Sequence, residues 1–343
     1  MDSAQIATLK QKITASELPS DISTRLLQDL ERAEMLIKSN SFTPEIDRQL
    51  TYINFVTDLP WTKTSQDILD LPRAKEVLDK NHFGLDEVKE RILEYLSVLI
   101  LNQKKGTAAH PPILAFTGLV GSGKTSLAYS IAESLGRQII RIPFGGLGTA
   151  SQLRGESRIK PDAEAGLMIK ALKRAKVKNP VILLDELDRI TENARADVMG
   201  VLVELLDPEQ NMAFLDHYID IPFDLSQVLF VATANNTGNI ATAVLDRLEM
   251  IEMPFYTDQQ KIVIGKDYIM PHALKEAGLE LNTVVIAPEL WAEIVRPLGF
   301  DGGIRSLKRN IEGMVRKISK RVVEGNPGPY NITAENLKEF ISR

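Results

Sequence analysis

Apolar positions in the first third of the chain recur at the spacing of amphipathic helices. Three stripes stand out along residues 16–100: Ile22, Leu26, Leu30, Ala33 and Ile37; Ile46, Leu50, Ile53 and Val56; and Val88, Ile92, Leu96 and Leu99. Thr43-Pro44 supplies a helix cap and a first-turn proline before the second stripe. The pattern predicts an N-terminal helical segment over 1–105, with a polar linker over 102–112 that contains glycine and proline.

From residue 113 the pattern changes to short apolar runs separated by helical stretches. The runs are 113–117, 138–142, 180–184 and 227–233, and the helical stretches between them are 127–135, 165–175 and 197–206. Buried strands that alternate with helices are typical of a parallel sheet covered by helices. We therefore predict an α/β domain over 106–253. Helical spacing returns at 257–277, 288–296, 303–323 and 333–341, which predicts a further helical domain over 254–343.

Composition and charge narrow the class of protein. The chain has 343 residues, 25% charged residues, a net charge of −5 and no cysteine. The acidic balance disfavours nucleic acid as a partner, and the missing thiols exclude disulfides and cysteine nucleophiles. Apolar runs such as 180–184 are too short to cross a membrane, and the N-terminus carries no apolar signal segment. We expect a cytoplasmic protein without a membrane partner.

A glycine-rich turn joins the first apolar run to the first helix of the α/β domain. Its residues are Gly118, Leu119, Val120, Gly121, Ser122, Gly123, Lys124, Thr125 and Ser126. The spacing G-x-x-x-x-G-K-[ST] between strand and helix is that of a loop that holds nucleotide phosphates. Glycines let several backbone N–H groups face one anion, and the helix N-terminus adds its dipole. We predict that Lys124 binds the outer phosphates and that the Thr125 hydroxyl holds Mg²⁺.

Two acids follow the third apolar run. Val181-Ile182-Leu183-Leu184 is followed directly by Asp185 and Glu186. Ligands of α/β sheets bind outside the carboxyl ends of the strands, so this pair is well situated to serve a nucleotide. We predict that Asp185 reaches Mg²⁺ through water and that Glu186 acts as general base on an attacking water.

Three further polar residues are candidates for the same chemistry. Asn235 ends the fourth run, where its amide either orients the attacking water or only forms a turn with Asn236. Arg247 follows in Leu245-Asp246-Arg247, and Arg305 opens a helix with an apolar stripe. A cation in the first turn of a helix lies at the positive end of the helix dipole, and this interaction is unfavourable by about 0.3–1 kcal/mol. This placement hints at an anion near Arg305.

Together these motifs resemble an AAA+ ATPase with its P-loop NTPase fold, and the sequence between them resembles the ATPase portion of the Lon family of ATP-dependent proteases. The resemblance extends over nearly the whole chain. Its segments include Asp58-Leu59-Pro60-Trp61, His82-Phe83-Gly84-Leu85, Leu205-Leu206-Asp207-Pro208-Glu209-Gln210-Asn211, Phe214-Leu215-Asp216-His217-Tyr218, Pro222-Phe223-Asp224-Leu225-Ser226 and Gly303-Ile304-Arg305-Ser306-Leu307.

The resemblance implies roles for the residues that match the family's motifs. Asn235 is similar to the first sensor and Arg305 to the second, while Arg247 resembles an arginine finger that acts on the nucleotide of a neighbouring subunit. The residues that match the family's adenine-packing positions are His82, Phe83 and Tyr256. The family also implies ATP and Mg²⁺ as cofactors, a homo-hexameric ring, a protein substrate and a helical lid subdomain over 254–343.

Two features depart from the family pattern. The family's pore loop, typically Tyr-Val-Gly, is replaced by Lys160-Pro161-Asp162. Aromatic side chains grip a sliding polypeptide by sequence-tolerant apolar contact, so we expect this charged and rigid tip to grip poorly or differently. The chain also ends at Arg343, where the family's serine–lysine peptidase domain would begin, and we expect no peptidase site within these residues.

These observations leave two functions open. The first is an Mg²⁺-dependent ATPase that unfolds or remodels a protein, either for a separately encoded peptidase or as a piece of a longer Lon chain. The second is a regulatory module that binds ATP and assembles but does not thread substrate. The acidic pair and the two arginines favour the first function, whereas the altered loop favours the second. A nucleic-acid motor is disfavoured, because the sequence shows no cluster of aromatic residues on which bases could stack. A kinase is poorly supported, because no site for a phosphoryl acceptor can be recognised.

Overall fold

The computed structural model describes residues 3–38, 43–106, 112–296 and 303–341. The helices in chain order are α1 (Ser3–Ala15), α2 (Ser20–Lys38), α3 (Pro44–Thr57), α4 (Leu71–Asn81), α5 (Asp86–Lys105), α6 (Lys124–Leu135), α7 (Ser151–Arg154), α8 (Leu167–Ala175), α9 (Arg195–Leu206), α10 (Pro208–Asn211), α11 (Thr242–Leu245), α12 (Asp258–Val263), α13 (Met270–Glu276), α14 (Trp291–Val295), α15 (Arg305–Val323) and α16 (Leu337–Phe340). The strands are β1 (Ile113–Thr117), β2 (Ile139–Pro143), β3 (Val181–Asp185), β4 (Phe214–Leu215), β5 (Pro222–Phe223), β6 (Leu229–Ala234), β7 (Leu248–Glu252), β8 (Val284–Ile286) and β9 (Tyr330–Ile332).

These elements form two structural units. The first contains residues 3–38, 43–69, 112–115 and 135–249, and the second contains 70–106, 116–134, 250–296 and 303–341. Each unit combines segments that are distant in sequence. Two of the boundaries fall inside strands, since β1 and β7 begin in the first unit and continue in the second. The predicted division into 1–105, 106–253 and 254–343 stays a prediction.

The N-terminal helices of the first unit bury the apolar stripes that the sequence predicts. On α2 the buried residues are Ile22, Leu26, Leu30 and Ala33, and those on α3 include Ile46, Leu50, Ile53 and Val56. Thr43 caps α3 with extended backbone and Pro44 occupies its first turn, as predicted, but the Thr43 side chain makes no capping hydrogen bond. The predicted linker over 102–112 is wrong at its start, because α5 continues as a helix to Lys105, and residues 107–111 of it lie outside the described residues.

A five-stranded sheet in the order β2-β3-β6-β1-β7 matches the α/β class predicted from the sequence. The strands β2, β3 and β6 are parallel, with Ile139 opposite Val181 and Val181 opposite Leu229. Each predicted apolar run forms one of these strands, shifted by at most two residues. The sequence analysis missed β7, because this strand lies at the sheet edge and its glutamates interrupt the apolar pattern.

The C-terminal helices of the second unit surround a hydrophobic core of their own. The residues at its centre, each less than 6% exposed, include Leu274, Trp291, Ile294, Leu307, Ile311, Met314, Val315, Ile318 and Phe340. The apolar face of α15 therefore packs inward along its length, and the exposed Arg305 is the first residue of the helix. Within the described residues, no helix is both long and apolar enough to span a bilayer.

Candidate functional site

The turn between β1 and α6, residues 118–123, has the backbone of an anion-binding loop. Gly118, Gly121 and Gly123 have φ of 139°, 83° and 99°, conformations that L side chains rarely adopt. The helix α6 begins directly afterwards, at Lys124, so the positive end of its dipole lies at this turn. Glycine is therefore required by the main-chain path itself, and this path ends at a helix N-terminus.

Lys124 is held against this phosphate loop in the second unit. Its side-chain nitrogen Nζ donates to the carbonyl oxygens of Gly118 at 2.7 Å and Leu119 at 2.8 Å. The residue is buried, which is unusual for lysine. The positive charge is consequently fixed beside the backbone N–H groups of the loop.

Ser122 gives a direct indication that the loop binds a polar ligand. Its hydroxyl is buried and has no hydrogen-bond partner among the described residues. A buried hydroxyl without a partner destabilises the folded protein by about 1–3 kcal/mol, so such groups are rare outside ligand sites. Thr125 is half-buried in the first turn of α6, and the Ser126 hydroxyl donates to the Gly123 carbonyl at 2.8 Å.

The N-terminus of α15 lies directly against the phosphate loop. The Ile304 N–H donates to the Gly121 carbonyl at 3.0 Å. A Cβ at Gly121 would lie 3.0 Å from the Arg305 Cβ, and one at Gly303 would lie 2.4 Å from the Val120 carbonyl oxygen. The loop and the start of α15 thus meet backbone to backbone, with the exposed Arg305 at the junction. The sequence analysis gave no role to Gly303, although this contact requires a glycine there.

The three residues suggested for adenine packing lie in different surroundings. Tyr256 is buried, and its hydroxyl lies 3.6 Å from the position of a Cβ on Gly123. His82 is also buried and shares a 2.9 Å hydrogen bond between its Nε2 and the Ser130 hydroxyl. Phe83 packs on Tyr268 with ring centroids 6.3 Å apart. The structure brings Tyr256 to the phosphate loop, and the adenine role of all three residues stays a prediction.

Burial sets the protonation of two of these residues. The pKa of His82 is lowered to about 4, first by burial and then by the nearby Lys89 ammonium. Burial also raises the pKa of Tyr256 to about 12. Both side chains are therefore neutral near pH 7 and contribute no charge beside the loop.

In the first unit, Asp185 ends the buried strand β3 and both of its oxygens have partners. The Thr233 hydroxyl on β6 donates to Oδ1 at 2.5 Å, and Arg141 Nε on β2 donates to Oδ2 at 2.6 Å. Asp185 is 3% exposed, so the Arg141 guanidinium offsets part of the cost of burying its charge. The sequence analysis missed Arg141, and the only signal was a charged residue within the apolar run 139–142.

Glu186 has a left-handed backbone conformation, with φ of 61° and ψ of 51°. For a residue with a side chain this costs about 1–2 kcal/mol, and such strain clusters at functional sites. Its N–H donates to the Thr233 hydroxyl at 3.0 Å, so Thr233 ties the two acids to one another. A Cβ at Gly145 would lie 3.1 Å from Glu186 Oε2, which leaves the carboxylate beside bare backbone.

Asn235 and Asn236 follow β6, and both donate hydrogen bonds to Asp188. The Asn236 amide nitrogen lies 3.2 Å from Asp188 Oδ2, and its Oδ1 accepts from the Gly238 N–H at 3.2 Å in a turn. The Asn235 N–H donates to Asp188 Oδ1 at 3.0 Å and its amide nitrogen lies 3.4 Å from Oδ2, while its action on a water stays a prediction. Asp188, which the sequence analysis did not single out, therefore holds Asn235 at the end of β6.

Arg247 lies between α11 and β7 with its guanidinium bonded inside the first unit. The nitrogen Nη2 pairs with Asp207 Oδ2 at 2.8 Å, and Nη1 donates to the Ala243 carbonyl at 2.7 Å. The side chain is 29% exposed. The sequence predicts a role for Arg247 but not its partner Asp207.

The loop over residues 155–166, called the tip loop below, contains Lys160-Pro161-Asp162. Its base is fixed, because the Glu156 N–H donates to the Glu164 carbonyl and the buried Asp216 accepts from the Gly166 N–H at 2.7 Å. Its far end is open to solvent, and Ile159 is 92% exposed. The loop thus has a rigid base and an exposed tip with one apolar side chain.

Each unit has a distinct chemical capacity. The second unit offers an anion site made of backbone N–H groups, a buried ammonium and an unpartnered hydroxyl. The first unit offers two adjacent carboxylates at a strand end, an oriented amide and a guanidinium. Phosphate binding and water activation are the chemistry that these groups suit.

Comparisons with known proteins agree with this geometry. Residues 114–254 match the family model described as "ATPase family associated with various cellular activities (AAA)". Lon protease of Lawsonia intracellularis is 41% identical over 338 residues, which cover 98% of this chain and 40% of that protein. Lon protease 2 of Herpetosiphon aurantiacus is 39% identical over 339 residues, 99% of this chain and 41% of that protein.

The sheet, the phosphate loop and the family match together define an AAA ATPase domain that includes residues 114–254. Beyond that domain, the chain is similar to Lon proteases, to which it is about 40% identical along 98% of its length. It spans about 40% of the length of these relatives.

Proposed function

We propose that the chain is an Mg²⁺-dependent ATPase that uses hydrolysis to unfold or remodel a protein partner. The observation that carries this proposal is the phosphate loop, with its left-handed glycines, fixed Lys124 and unpartnered Ser122 hydroxyl. An ATP phosphate would give the Ser122 hydroxyl, which has no hydrogen-bond partner among the described residues, an acceptor at the N-terminus of α6.

Hydrolysis requires the groups of the first unit as well. We assign Glu186 as the general base, Asn235 as the residue that orients the attacking water, and Arg247 as the finger that acts on a neighbouring copy. Arg305, at the junction of the loop and α15, is assigned to sense the outer phosphate. The Glu186 backbone strain and its tie to Thr233 support a carboxylate that is oriented before substrate arrives.

Mg²⁺ fits the donor set of these residues. The Thr125 hydroxyl and the Asp185 carboxylate are oxygen ligands, which this hard cation prefers. When bound, the ion would neutralise charge on the phosphates. Arg141 already donates a hydrogen bond to Asp185, so this carboxylate is held in one orientation.

A finger that acts on another copy requires assembly, and we propose a homo-hexameric ring with a polypeptide as substrate. The relatives carry the name Lon protease, and the chain spans about 40% of their length. We therefore propose that proteolysis, where it follows, is performed by a peptidase outside these 343 residues.

One observation favours a second function, a regulatory module that assembles on ATP without threading substrate. The tip loop presents Lys160, Pro161 and Asp162 in place of an aromatic, and charged groups bind apolar segments weakly. In this alternative the tip loop docks on a folded partner.

ATP turnover with and without an unfolded polypeptide such as α-casein separates the two functions. The remodelling function predicts that casein raises turnover at saturating ATP. The regulatory function predicts ATP-dependent assembly, measured by sedimentation, with turnover unchanged by casein. Failure to bind ATP at all would contradict both functions.

A further inference from the structure

The hydrogen bonds that Arg247 makes within one chain use only part of the donor capacity of its guanidinium. The two terminal nitrogens each make one hydrogen bond, to Asp207 and to the Ala243 carbonyl. A guanidinium has five N–H donors in one plane, so these bonds fix the plane while using two of the donors. The side chain is 29% exposed, and the other three donors have no hydrogen-bond partner among the described residues.

Asp207 is itself fixed before it meets Arg247. It is the cap of α10, where Oδ1 accepts from the Glu209 N–H at 3.0 Å. The Gln210 amide nitrogen donates to Oδ2 at 3.2 Å. The hydrogen bond from Arg247, followed by that from the Glu209 N–H, lowers the pKa of Asp207, so the carboxylate stays charged well below pH 7. A charged, immobile carboxylate sets the direction of its partner.

We infer that Asp207 is a positioning residue for Arg247: it holds the guanidinium in the orientation in which the free N–H groups meet the nucleotide of a neighbouring copy. The inference rests on the proposed function, because Arg247 must act on another subunit. It adds a residue 40 positions away in sequence, at the junction of α9 and α10, to the site. Fixing this plane in advance lowers the entropic cost of binding the transition state.

The first test compares Asp207→Asn with Asp224→Asn in the assembled protein. Asparagine keeps the Oδ1 acceptor that caps α10 and removes the charge that holds Arg247. Asp224 is a matched control, because it pairs with Lys178 at 2.7 Å and accepts from the Ser226 N–H at 2.9 Å. We expect Asp207→Asn to lower kcat by about 10- to 100-fold with an unchanged Kd for ATP, and Asp224→Asn to leave both unchanged. A kcat at or above the wild-type value for Asp207→Asn would overturn the inference.

Mixing of subunits shows whether Asp207 acts through Arg247. Glu186→Gln chains lack the proposed general base but keep Arg247 and Asp207, so they supply intact fingers to neighbouring chains. We expect turnover per Asp207→Asn chain to rise towards the wild-type value when Glu186→Gln chains are added, as it should for Arg247→Ala chains. A merely structural defect in Asp207→Asn chains would not be rescued in this way.

The two mixtures also separate the inference from the proposed function. If Arg247→Ala is rescued but Asp207→Asn is not, the positioning role is wrong while the finger stands. If neither is rescued, the proposed action of Arg247 on a neighbour is wrong, and the inference fails with it. Should Asp207→Asn not fold, Asp207→Glu keeps the charge at a displaced position, and an unchanged kcat in that variant would contradict the requirement for a fixed orientation.

Discussion

The phosphate loop and the tip loop differ in what determines their chemistry. In the phosphate loop, three glycines with positive φ set the path, and Lys124 is bonded to backbone carbonyls. In the tip loop, the buried Asp216 anchors the base, the Lys160 N–H donates to the Ser157 carbonyl, and residues 159–162 are exposed to solvent. Backbone geometry thus determines the chemistry of the first loop, whereas exposed side chains determine that of the second.

This difference explains why the sequence specifies phosphate binding more directly than it specifies a polypeptide partner. Few residue types are compatible with the backbone of the phosphate loop, so its sequence carries the chemistry. Exposed tip residues such as Ile159 can change at little cost to stability, since surface substitutions usually change it by about 0.5 kcal/mol or less. Function of the tip loop must be tested by exchanging its side chains.

The largest effect is expected in the phosphate loop. Lys124→Ala removes the buried ammonium, and loss of one partner of a buried charge pair costs about 2–5 kcal/mol. We expect the Kd for ATP, measured by calorimetry, to rise at least about 30-fold. The control is Lys104→Ala, which removes an exposed lysine on α5 of the same unit. Equal affinity in Lys124→Ala and wild type would show that the loop does not hold the phosphates.

A moderate effect is expected in the tip loop. Lys160→Tyr combined with Pro161→Val places an aromatic and an apolar side chain at the exposed tip. If the protein threads polypeptide, casein-stimulated turnover should rise several-fold while turnover without casein stays constant. Lys320→Tyr, at an exposed position of α15, controls for general stickiness. No gain over this control would favour the regulatory function.

The smallest effect concerns acid stability on the phosphate-loop side. His82 is hydrogen-bonded to Ser130 of α6, and its pKa of about 4 lies below the ordinary histidine value of 6.5. Between pH 6.5 and pH 4 the imidazole is protonated in the unfolded chain but stays neutral in the folded chain. The contribution of His82 to the free energy of unfolding is therefore full above pH 6.5 and is lost as the pH falls towards 4. Over this pH range the free energy of unfolding should fall by about 3 kcal/mol through His82.

Urea unfolding at a series of pH values measures this contribution. His82→Gln should lose less stability than wild type between pH 6.5 and 4.5, whereas His272→Gln, at an exposed position of α13, should follow wild type. For Asp216, which anchors the tip loop, the pH dependence of stability has the opposite sign. Burial raises the pKa of its carboxyl, so lowering the pH does not reduce the free energy of unfolding through this group. Identical pH profiles for wild type and His82→Gln would contradict the burial of a neutral imidazole.

Local patterns predicted much of this protein, and long-range pairing accounts for what they missed. The strands β1, β2, β3 and β6, the start of α6 and the position of Arg305 follow from periodicity and motif spacing. The partners of the site residues do not, since Arg141 lies 44 residues from Asp185 and Asp207 lies 40 from Arg247. Only the folded sheet brings Arg141 on β2 beside the end of β3. A single sequence contains no signal for such pairs.

The central claim is that this chain hydrolyses ATP with Glu186 as the general base. The most direct test measures ATP binding and single-turnover hydrolysis in the same preparation of Glu186→Gln, with Glu192→Gln as an exposed control in the same unit. We predict that Glu186→Gln binds ATP as tightly as wild type and hydrolyses it about 10²- to 10⁴-fold more slowly. Hydrolysis by Glu186→Gln at the wild-type rate would contradict the account.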